Sequence, residues 1–142
     1  QSLANHLRDV AGSDLMRTVR AQPPAGPVLT NAPLHLLVHT GVPVRPVPET
    51  LDGWDTLVFR SGGAPLTVVW FEPISRCDWG RRHCVTTDYT VEMLAVQFAL
   101  TPVFQTYDGG LYTVGSASEK VYNTEITSVL LSRPHTYLVT QG

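Results

Sequence analysis

The chain has 142 residues, 43% of them hydrophobic, and a formal net charge of −2. That length supports one buried core rather than two, and the near-neutral balance excludes a strongly basic nucleic-acid module, whose affinity comes from Lys and Arg neutralising phosphates. No apolar run reaches the roughly 18 residues of a bilayer span, and the amino terminus lacks the basic-then-apolar pattern of a signal peptide, so a single soluble domain is expected over residues 1–142.

Residues 1–27 read as an amino-terminal arm. Leu3, Leu7, Val10, Leu15, Met16 and Val19 fit a helical period broken at Gly12-Ser13, and Ser13 or Asp14 can cap a short second helix. Gln22-Pro23-Pro24-Ala25-Gly26-Pro27 cannot continue that helix and forms a linker. The core then spans 28–142.

Within it, Leu34 to His39 predicts a strand, extended through Gly41-Val42-Pro43-Val44, whose proline places it at a sheet edge or a bulge. Trp54 to Phe59 and Leu66 to Phe71, around Ser61-Gly62-Gly63, predict a hairpin. Val85, Tyr89, Met93, Val96 and Leu100 predict one long helix that stops at Pro102. Val103 to Tyr107 and Leu111 to Val114, around Asp108-Gly109-Gly110, predict a second hairpin, and Val121 to Leu131 and Thr136 to Val139 add further strands. The expected class is α+β, an antiparallel sheet packed on a central helix that starts at Cys84.

A thiolate is favoured at a helix amino terminus and beside cations. Cys84 sits at the start of the predicted helix, with Arg76, Arg81 and Arg82 just upstream. It is therefore the candidate nucleophile, in competition with a plain packing role for a small apolar residue. A catalytic thiol also needs an imidazole. Among the five histidines, His35 and His39 share one face of the predicted strand. Two cysteines, Cys77 and Cys84, point to a reducing compartment, with a single bridge between them as the alternative. Their spacing does not suit structural zinc, and no phosphate loop or serine elbow is present, so neither metal nor cofactor is expected. Arg76, Arg81 and Arg82 with Trp79, Trp70 or Tyr89 also make a small candidate RNA patch.

His39-Thr40-Gly41-Val42-Pro43-Val44 resembles the H-box of the lecithin:retinol acyltransferase-like proteins, and His83-Cys84-Val85 resembles their NC motif, with His83 where Asn is usual. The same pair occurs in one group of picornaviral 2A proteins, including those of kobuviruses. Gln1-Ser2 at the start and Gln141-Gly142 at the end match junctions favoured by picornaviral-type proteases. The resemblance implies a permuted papain-like (NlpC-type) fold, with His39 as base and Cys84 as nucleophile. It marks no third residue, for which Asp52, Asp55 and His35 are candidates. Its functional implication is a viral non-structural accessory protein in the host cytoplasm that contacts host or viral proteins or RNA. The alternative is a thiol acyltransferase or hydrolase acting on a lipid or other acyl substrate.

Overall fold

The computed structural model describes residues 12–72 and 84–116. Among them, chain order runs α1 (Asp14–Ala21), β1 (Val28–Thr30), α2 (Pro33–Thr40), β2 (Val44–Pro46), α3 (Leu51–Arg60), β3 (Leu66–Phe71), α4 (Val91–Gln97), β4 (Ala99–Thr106) and β5 (Gly109–Gly115). The predicted strands at 121–131 and 136–139 lie outside the described residues.

The strands form one five-stranded sheet in the order β2-β1-β3-β5-β4. It is mixed, not antiparallel as the sequence suggested. β1 pairs in parallel with β2 and with β3, while β5 pairs antiparallel with β3 and with β4. Helical crossovers make the parallel half: α2 joins β1 to β2 and α3 joins β2 to β3, as parallel neighbours require. The class is α+β with an open mixed sheet.

Both faces of the sheet are covered. Side chains alternate along β3, so Val69 and Phe71 pack with Leu15, Met16, Val19 and Leu36 of α1 and α2. Val68 and Trp70 face the other way, into a core with Trp54 of α3 and Leu94 of α4. The result is three layers, helices on sheet on helices.

α1 begins as expected: Ser13 is its amino-terminal cap and accepts a hydrogen bond from Met16 N at 3.0 Å. Asp108 reaches across from the β4–β5 turn and accepts from Asp14 N at 2.8 Å and Leu15 N at 3.0 Å, so two more free amide donors of the first turn are satisfied. The second predicted hairpin forms as β4–β5. Pro102 lies inside β4 instead of ending a helix, tolerated because β4 is the last strand of this sheet and its register shifts between Pro102 and Phe104.

Three segments change type. Leu34 to His39 is helical: Pro33 starts α2 where its missing N–H costs nothing, and Gly41, at φ 74° in the left-handed region, ends it by donating to Leu37 O at 2.8 Å. Trp54 to Phe59 belongs to α3, which buries Trp54 and half-buries Leu51, Leu57 and Val58 at helical spacing. The long helix from Val85 shrinks to α4. Val85 N donates to Asn31 O at 2.9 Å and Asp88 N to Glu49 O at 3.0 Å, which hold this β-branched stretch out of a helix until Thr90 caps Val91.

Candidate functional site

Cys84 lies in loop, several residues before α4, so it does not open the helix of its own segment as the sequence predicted. It is 2% exposed, within the core that holds Ala32, Leu36 and Phe71. It is also disulfide-bonded, where the sequence favoured free thiols. Cys77, the other cysteine of the chain, lies outside the described residues, as do His83, Arg76, Arg81 and Arg82. A disulfide sulfur is no thiolate, so the two features that recommended Cys84 as nucleophile, helix position and ionisable thiol, are both missing in this form.

His39 does not face Cys84 from a strand. It sits in the last turn of α2, half-exposed, with its carbonyl accepting from Arg20 Nε at 3.2 Å. The backbone contact of Val85 with Asn31 fixes Cys84 at the opposite, amino-terminal end of α2. From Ala32 to His39 the helix advances about 10 Å, so Cys84 and His39 stand at opposite ends of α2. His35 occupies the first turn of α2, at Cys84's end, and is buried at 5% exposure. Asp52 and Asp55 project from α3, on the far side of the sheet from Cys84, and cannot orient an imidazole there. Gly41 and Val42 have structural uses: Gly41 caps α2, and Val42 is buried while its N–H donates to Thr40 Oγ1 at 3.1 Å.

The RNA-patch aromatics are likewise committed elsewhere. Trp70 and Tyr89 are 6% and 4% exposed and tilt against each other at 5.9 Å, so neither offers a ring face to a base. Tyr89 Oη accepts from Trp54 Nε1 at 2.7 Å and donates to Pro48 O at 2.6 Å. Burial raises its phenol well above the ordinary tyrosine value; the neighbouring Asp88 adds to this, and the Trp54 bond opposes it.

The concave feature near this network was not anticipated. A cavity of about 320 Å³ opens at the carboxyl end of β3, between Trp70, Glu72, Tyr89 and the first turn of α4, with Glu92 and Met93 on its rim. Clefts outside the carboxyl ends of parallel strands are the usual ligand positions in sheets of this kind. Partial desolvation at the cavity raises the Glu72 carboxyl above the ordinary glutamate range although the residue keeps solvent access; the Glu92 carboxylate raises it further, and a hydrogen bond from the Trp70 side chain draws it partly back. The sequence signal for this site was slight, because Glu72 and Glu92 are twenty residues apart and only the fold brings them together.

Among the described residues no cluster of His, Cys, Asp and Glu is placed to hold a metal, and no helix is long and apolar enough to cross a membrane. Compared with protein-family models, curated proteins and solved structures, the chain matches none of them.

Proposed function

We propose that this chain is a binding domain without thiol catalysis, and that its motifs mark it as a viral accessory protein of the H-box/NC 2A type, acting through contacts with host or viral proteins. The observation that supports the first half is the state of Cys84: buried, disulfide-bonded, in loop, and at the opposite end of α2 from His39. The second half rests on the short motifs His39 to Val44 and His83 to Val85. A helix-borne His39 and the absence of a helix start at Cys84 leave the permuted papain-like architecture without support from these residues. On this reading the motif residues serve packing and capping, and recognition falls to the protein's surface and its concave sites.

The test is to liberate the thiol deliberately. Cys77→Ser leaves Cys84 with no cysteine partner in the chain. Under the binding-domain reading, an electrophilic acyl probe labels folded Cys77→Ser no faster than it labels an unfolded control, and His39→Ala changes nothing. Fast, saturable labelling that His39→Ala abolishes would restore the thiol enzyme. The host cytoplasm is the compartment the resemblance gives. Because disulfides persist mainly in oxidising surroundings, the thiol state of protein taken directly from cells tests that part separately.

A further inference from the structure

A second cavity, also of about 320 Å³, lies at the opposite end of the parallel strands, between the sheet and α3. Leu29, Leu57, Leu66, Pro27 and Pro65 give it apolar walls, and among the described residues Arg45 is the one charged group in its lining. The register explains the placement. Arg45 on β2 stands opposite Leu29 on β1, and Leu29 belongs to the core on the α3 face, so Arg45 shares that face. Among the described residues Arg45 takes part in no ion pair, and its side chain is exposed.

We infer that this cavity is a ligand site for a carboxylate carried on a short apolar group, with Arg45 as the anchor. A concave, mostly apolar site of this size with very few polar groups suits a small ligand bound chiefly by its apolar part and oriented by its head. The head is identified by what the lining offers. One guanidinium presents a planar fork that a single carboxylate matches in two parallel hydrogen bonds. A phosphate dianion calls for more cationic donors, and the described lining adds to Arg45 only neutral ones, the Thr67 hydroxyl and backbone amides, with none from Pro27 or Pro65. Leu57 and Leu66 remain only half-buried in the protein, which leaves apolar surface for the tail to cover. The same chemistry comes from two sources, a free aliphatic carboxylate or the carboxyl terminus of a peptide ending in an apolar residue. This site goes beyond the binding-domain reading and does not depend on it.

The experiment follows amide shifts of the full-length protein during titration with octanoate, octanol, a short peptide ending in leucine, and that peptide's carboxy-terminal amide. Saturable shifts at Leu29, Arg45 and Leu66 are expected with octanoate, with the free peptide acid, or with both, and which of them binds identifies the source. The uncharged counterparts, and Arg45→Gln with either acid, are expected to bind at least about tenfold more weakly. Arg45 is exposed on a strand edge, so Arg45→Gln is expected to keep the native spectrum, and Leu57→Trp, which fills the cavity, provides an independent block. The inference is overturned if neither acid saturates these shifts at millimolar concentration, if octanol and the amide match the acids, if Arg45→Gln binds unchanged, or if the shifts map elsewhere.

Discussion

Asn31 uses both ends of its carboxamide on one backbone unit: Nδ2 donates to Phe71 O and Oδ1 accepts from Phe71 N, each at 2.8 Å. Its own carbonyl accepts from Val85 N, so the end of β1, the end of β3 and the loop at Cys84 meet on this fully buried residue. Asn31→Ala leaves a buried N–H and C=O unpaired, and urea unfolding is expected to show a loss of about 2–4 kcal/mol; a loss within a few tenths would mean that water or a shifted backbone replaces the carboxamide. Glu72 gives a prediction with a definite pH sign. Its folded value is raised above 4.5, so the protonated form's advantage is fully present below 4.5 and is lost as pH rises through the raised folded value. Glu72→Gln is therefore expected to stabilise the protein at neutral pH, by no more than about 1 kcal/mol because the side chain remains solvent-accessible, and to be neutral in acid. Unfolding curves at the two pH values check it; a gain that persists below 4.5 would place the effect outside the titration of Glu72.

At the scale of elements, α1 depends on a residue far away in sequence. Asp108 accepts from two of its first amides and from Thr106 Oγ1 at 2.9 Å, and its charge meets the positive end of the helix. Asp108→Ala is expected to cost about 1–2 kcal/mol, with Asp108→Asn recovering part of it; equal losses in both variants would show that charge, not hydrogen bonding, matters. The next residue, Gly109, is fixed by geometry, since a Cβ there would run into Trp70 O and its φ is 152°. This turn and the Ser13 cap were readable from the sequence, because both act through local chemistry that leaves a residue signature. α2 and α3 carry no such signature, for an equally physical reason. Leu34 to His39 is a short apolar run without a decisive period, and His35 and His39 share a side in either conformation. The deciding signals were the flanking Pro33 and Gly41. β1, only three residues long, carried no periodicity at all.

For the whole molecule, the parallel half of the sheet is what relocates the site. The sequence placed a strand-borne histidine against a helix-borne cysteine in an antiparallel sheet packed on one helix. Here the α2 crossover turns the histidine segment into a helix, and α3, which carries the exposed Asp52 and Asp55, packs on the opposite face of the sheet from Cys84. The juxtaposition of Glu72 with Glu92 arises only after β3 and α4 are brought side by side, so no linear motif records it. The claim on which the functional reading turns is that Cys84 is a structural, oxidised residue. The most direct measurement is a thiol count on the full-length protein, unfolded without reductant after alkylation of any free thiol in the native state. The expected result is that Cys84 carries no alkyl group and titrates only after reduction; a Cys84 alkylated rapidly in the folded protein contradicts it.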